Sequence, residues 1–182
     1  MKSKILSLLI ISIFFSACLT SSSEVISRGD LVPFEKEFFQ LSVPQNWESL
    51  QDDKIKNSPS GTEVVFRSKQ IIDGVFPNIS IVKENITTNE SLIFAQNNIE
   101  KIPFLIKNMQ TISQNEMEIN NEKTILFIFT GRLDATEDDL RFMQIFFAKN
   151  NIGITLTAAL PLNADNDLTK LINDVFASFI FK

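Results

Sequence analysis

Ile125-Leu126-Phe127-Ile128-Phe129-Thr130 and Met143-Gln144-Ile145-Phe146-Phe147 are the stretches that decide the fold. Both are rich in β-branched and aromatic residues, which favours strands. Both are also apolar, or nearly so, at successive positions. Successive side chains of a strand point to opposite faces, so these strands should be buried on two sides. Each sits in a hairpin pattern. Thr111–Ile119 and Thr124–Leu133 flank Asn120-Asn121, and Arg141–Lys149 and Ile152–Leu160 flank Asn150-Asn151. Tight two-residue hairpin turns require positive φ, which asparagine tolerates better than most residues. Connections this short make the sheet mostly antiparallel.

The earlier sequence supplies shorter strands. Phe38 to Val43 is ended by Pro44 and followed by Trp47, while Thr62–Ser68 and Asn78–Glu84 lie between the turn signals Pro59-Ser60-Gly61 and Asp73-Gly74. Thr87 and Glu90 have capping-box spacing, and Leu92, Ala95, Ile99, Ile102 and Ile106 recur at helical intervals. Pro103 should end or kink that helix. A last helix follows Asp165 or Asn166 as cap, with Leu168, Leu171, Ile172, Val175, Phe176 and Phe179 on one apolar stripe. Helices over Thr87–Ile102 and Asp167–Phe179 are the available cover. The expectation is an α+β domain with a single antiparallel sheet covered by helices on both faces.

The N-terminus reads differently. Lys2 and Lys4 precede an apolar run from Ile5 to Phe15, the size of a signal h-region and too short to span a bilayer. Phe15-Ser16-Ala17-Cys18 then resembles the lipobox of bacterial lipoproteins, with Phe15 where that pattern usually has leucine. The resemblance implies cleavage before Cys18 and acylation of its thiol. The expected organisation is a signal peptide over 1–17, a lipidated Cys18 and polar tether over 18–33, and one domain over 34–182. Leu19 follows the cysteine in place of the aspartate that resembles an inner-membrane retention signal. In a two-membrane cell this leans toward the outer membrane, facing the periplasm.

Without residues 1–17 the chain keeps fifteen basic and twenty-two acidic side chains, a formal net charge of −7. That balance repels phosphates and argues against nucleic acid. The chain has no histidine and no tyrosine, and Cys18 is its single cysteine. The commonest general base and metal ligand are therefore missing, and no internal disulfide can form. No metal or cofactor is expected.

Phe39-Gln40-Leu41-Ser42-Val43-Pro44-Gln45-Asn46-Trp47 resembles the opening of PsbP/DcrB-like domains, an apolar-Ser-apolar-Pro-x-x-Trp pattern. The later order of elements is similar too, down to a closing Ser-Phe pair at Ser178-Phe179. The resemblance spans roughly Phe34 to Phe181. It implies an α/β/α sandwich and a role in interaction or assembly, and it brings no catalytic motif.

Four acids, Asp134, Glu137, Asp138 and Asp139, concentrate between two strands. They form a solvated hairpin tip or an interaction loop, and lack the glycine and final glutamate of an EF-hand calcium loop. Ser178 and Lys182 have the spacing of a dyad on a helix. Phe142, Phe146 and Phe147 either fill the core or line an apolar pocket. The leading expectation is a membrane-anchored, non-catalytic module that binds an envelope protein. A carrier of an apolar or lipid ligand is the alternative, marked by a hollow interior. An envelope hydrolase with paired carboxylates is the third, marked by two acids converging in a cleft.

Overall fold

The computed structural model describes residues 30–55, 59–136 and 138–182. The expected signal peptide, Cys18 and the expected tether as far as residue 29 lie outside the described residues, as does Glu137. The elements are β1 (Leu31–Glu35), β2 (Phe39–Pro44), β3 (Glu48–Leu50), β4 (Thr62–Arg67), β5 (Asn78–Asn85), α1 (Ser91–Ile99), α2 (Ile102–Leu105), β6 (Lys107–Ile119), β7 (Glu122–Arg132), β8 (Leu140–Lys149), β9 (Ile152–Pro161), α3 (Asn166–Ala177) and β10 (Ile180–Phe181).

The strands make two sheets. Seven are ordered β3-β4-β5-β9-β8-β7-β6, and three are ordered β1-β2-β10. All pairings are antiparallel. The expectation of one sheet with helices on both faces is therefore wrong. The protein is mostly β, and its helices are short: nine, four and twelve residues. One face of the large sheet packs against the three-stranded sheet and α3 together, through Ile79, Ile81, Ile145, Leu156, Leu41 and Ile172 among others. On the other face α1 lies over β7 and β8, where Phe94 and Ala95 meet Phe127, Phe142 and Phe146. The remainder of that face presents half-buried polar side chains such as Ser80, Gln144 and Thr157. The two-sided burial inferred for β7 and β8 is real, but a second sheet supplies much of the cover.

Both asparagine pairs turn as anticipated. Asn120 and Asn121 have φ of 50° and 66°, and Asn150 and Asn151 have 53° and 60°. Asp165 caps α3, its carboxylate accepting from the Leu168 amide at 2.7 Å. The start of α1 differs from the capping-box reading. Glu90 is the N-cap residue without a side-chain cap, and its amide donates to Thr88 Oγ1 instead. Ser91 Oγ accepts from the Ala148 amide at 2.9 Å, which ties the helix start to β8. The helix stops at Ile99, three residues short of the expected Ile102, and Pro103 stands in the first turn of a separate α2, where its missing N–H costs nothing.

The seat of α1 depends on Gly153. A Cβ there would lie 2.5 Å from the Phe94 ring. Gly153→Ala should push the ring off β9 and destabilise the domain by about 1–3 kcal/mol. Urea denaturation reads this directly, and an unchanged midpoint would show that Phe94 moves freely.

The registers define two ends of the large sheet. At one, here the near end, Glu48, Arg67, Asn78, Pro161, Leu140, Arg132 and Lys107 follow one another across the strands. The chain enters at this end, since Leu31 pairs with Pro44, and the Gln45 amide donates to the Asp30 carbonyl. The two asparagine turns lie at the opposite, far end.

Candidate functional site

The acidic loop joins β7 to β8 at the near end. Two of its four acids, Asp134 and Asp139, are engaged in shaping the loop. Asp134 Oδ1 accepts from the Thr136 amide and hydroxyl, both at 3.1 Å. These bonds hold its carboxyl below the usual carboxylate range, with a smaller contribution from the Lys107 ammonium. Asp139 accepts from Arg132 Nε at 2.7 Å and from Asn108 Nδ2 at 2.6 Å. The Arg132 bond is the main reason its carboxyl also sits low. Asp138 is exposed. The loop thus turns two of its acids inward to its own backbone and to the neighbouring strands. Among the described residues, no group of three or more His, Cys, Asp or Glu is placed to hold a metal ion.

The Ser178–Lys182 pair does not come together. Ser178 Oγ donates to the Val175 carbonyl at 2.6 Å and accepts from the Ser42 amide at 2.8 Å. Lys182 Nζ instead pairs with Glu35 and donates to the Lys36 carbonyl. The Ser42–Ser178 bond joins the two segments that carried the family resemblance. Beside it, Phe39 and Phe179 stack at 5.9 Å. These short motifs mark where the small sheet closes on the end of α3.

Nor do the three phenylalanines of β8 line a common space. Phe142 and Phe146 face α1, while Phe147 faces α3 and the small sheet. Phe147 stacks on Phe179 with centroids 4.3 Å apart, and Phe129 stacks on Phe142 at 5.0 Å. An open cleft of about 200 Å³ lies between the end of β5 and α1, where Glu84, Thr87, Asn97 and Lys101 line it together with Ile86 and Phe94. It is small for a lipid chain.

The exposed apolar residues of the near end do not stand out in the sequence. Phe104 and Leu105 are 88% and 70% exposed on α2, and Leu133 is 60% exposed beside them. The signal was present in Lys101-Ile102-Pro103-Phe104-Leu105-Ile106-Lys107, but a helical stripe cannot be told from an exposed one until the helix is known to stop at Ile99.

The fold defined by these two sheets and α3 is PsbP-like. No family model matches the chain, and no curated protein matches it in sequence. Among solved structures, the cyanobacterial PsbP (CyanoP) of Synechocystis superposes with a TM-score of 0.62 at 13% identity, over 90% of this chain and 99% of that one. LpqN of Mycobacterium tuberculosis, described as involved in cell envelope biogenesis, gives 0.58 at 11% identity, over 84% and 91%. A Pseudomonas aeruginosa protein of unknown function gives 0.56 at 10% identity, over 84% and 97%. Identities this low speak for the fold alone.

Proposed function

We propose that this protein is a lipid-anchored module of the bacterial cell envelope that works through protein contacts and not by turnover. The observation that carries the reading is the placement of Cys18. It follows a basic and then apolar leader, ends Phe15-Ser16-Ala17-Cys18, and stands twelve positions before Asp30, the first of the described residues. Twelve residues reach at most about 40 Å, which confines the domain to a thin layer above its membrane. Confinement raises its effective concentration toward partners in the same membrane. The sequence has no histidine and a single thiol, which this reading acylates, and that supports contact over chemistry. The envelope description of LpqN, carried by a similar fold, points the same way.

The Asp134–Asp139 loop is the contact we favour, because it emerges at the end where the tether enters. Basic juxtamembrane segments of a partner would meet it there. The test is crosslinking of the anchored protein in its own cells, comparing wild type with the double variant Glu137→Gln, Asp138→Asn. These two positions leave the Arg132–Asp139 pair intact. Slower capture of the same partners, with a flatter dependence on salt, is expected. Identical capture would remove the loop from the interface, and hydrolysis of an envelope polymer by the purified protein would overturn the non-catalytic reading.

A further inference from the structure

We propose that the near end of the large sheet is a membrane seat, which inserts Phe104, Leu105 and their apolar neighbours into the lipid headgroup region. The proposal rests on the lipid anchor at Cys18. Its own basis is a clustering that the registers impose. Of the nine large apolar residues exposed on the described surface, six lie at this end: Ile71, Phe76, Phe104, Leu105, Leu133 and Leu162. They follow the strand order. Phe104 and Leu105 precede β6, Leu133 follows β7, Leu162 follows β9, and Phe76 precedes β5, with Ile71 in the same β4–β5 loop. From β6 to β5 is four strand spacings, so the row is roughly 20 Å long. A row of protruding apolar side chains is uncommon on a surface that only meets water.

The tether selects the bilayer as occupant. Asp30 is held at this end by its carbonyl, which accepts from Gln45. The acylated cysteine is twelve positions away, so the end bearing the row is the end drawn to the membrane. The side chains suit an interface. Ile102 is buried and pins α2, while Phe104 and Leu105 point out at its tip, flanked by exposed Lys101 and Lys107 whose long stems can reach the phosphates. Contact of this kind goes roughly 5–10 Å deep and depends on apolar area more than on charge. The acidic loop shares the rim, with Asp138 exposed and Asp73 in the β4–β5 loop. Zwitterionic headgroups are therefore preferred over anionic ones.

The test uses the acylated protein with a second cysteine at Phe104→Cys, labelled with an environment-sensitive nitrobenzoxadiazole dye. Cys18, being acylated, does not react. Ile93→Cys, exposed at the start of α1 toward the far end, is the control. Each protein is mixed with phosphatidylcholine–phosphatidylethanolamine vesicles, and flotation and fluorescence are read together. Flotation of both, with a several-fold rise at position 104 only, quenched by spin-labelled lipid and weakened as phosphatidylglycerol is added, is the expected result. Flotation with no rise at 104 overturns the seat and leaves the anchor standing. Failure to float shows that the anchor reading is wrong, and the seat falls with it. A rise at 104 that needs an added protein and not vesicles assigns the end to a protein partner and overturns the membrane as occupant.

Discussion

Phe179→Ala is expected to lower the stability of the domain by roughly 3–5 kcal/mol, the usual cost of emptying a large aromatic site in a packed core. Phe179 lies immediately after α3 and joins four elements at once. Its ring stacks on Phe147 of β8 at 4.3 Å and on Phe39 of β2 at 5.9 Å, and it meets Phe181 of β10 edge-on at 6.3 Å. Its carbonyl accepts from Asn120 Nδ2 in the β6–β7 turn. The backbone bond survives the substitution, so the loss isolates the ring contacts. Rigid rings cannot flow into the void, and collapse would have to move β2 and β8 together. In a domain of this size the melting temperature should fall by about 10 °C. Ile180→Ala, at a side chain 41% exposed, is the control and should change little. Equilibrium unfolding in urea measures both. A loss below about 1 kcal/mol for Phe179→Ala would show that the small sheet is not fastened through this ring.

The same residue shows which parts of the fold the sequence disclosed. Ser178-Phe179 was legible as a closing pair, and Leu41-Ser42-Val43-Pro44 as an opening one, because each is a local pattern. Their meeting was not legible, since Ser42 and Ser178 lie 136 positions apart and are joined only through the backbone of the one and the hydroxyl of the other. The hairpins were legible for a local reason as well: Asn120-Asn121 and Asn150-Asn151 have the chemistry that positive φ demands. The second sheet was hidden. β10 is two residues long, too short to show a period, and Ile180-Phe181 reads as the tail of a helix. β1 contains Pro33 and follows a polar stretch, so Leu31 to Pro33 read as tether, although they pair with β2. Proline at a sheet edge gives up no ladder bond, which is why it is tolerated there.

What the acidic loop does locally was equally invisible. Four acids in six residues suggest free charge, yet Asp139 spends its charge on Arg132 and its second oxygen on Asn108. The pairing of β6 with β7 creates that site, and two register shifts in that ladder separate it from any simple count along the sequence. The near end was illegible for the same reason. Ile71, Leu133 and Leu162 are scattered singly in sequence and become neighbours only through strand order.

Cys18→Ala is expected to abolish incorporation of labelled fatty acid and to move the protein from the membrane fraction to the soluble one. Acyl chains add their contributions to membrane binding. A buried methylene contributes about 0.8 kcal/mol, so a single acyl chain holds a protein only marginally, and two or three hold it firmly. No other residue can take this role, because the chain has no second cysteine. No helix among the described residues is long and apolar enough to cross a membrane, so no described helix replaces the anchor. The near-end row would be a weak substitute. In the proposed seat its side chains would lie shallow and would gain most with an anchor already holding them at the surface. Without the acyl chains the row should yield at most slight, salt-insensitive association with zwitterionic vesicles. Fractionation should be read on the mature protein alone, because uncleaved precursor keeps its apolar leader and would stay with membranes for that reason. A mature Cys18→Ala protein that fractionates with membranes as fully as wild type would sink the lipoprotein reading. The same protein found soluble, but restored to the membrane by a transplanted acylated N-terminus, would assign the whole difference to the lipid.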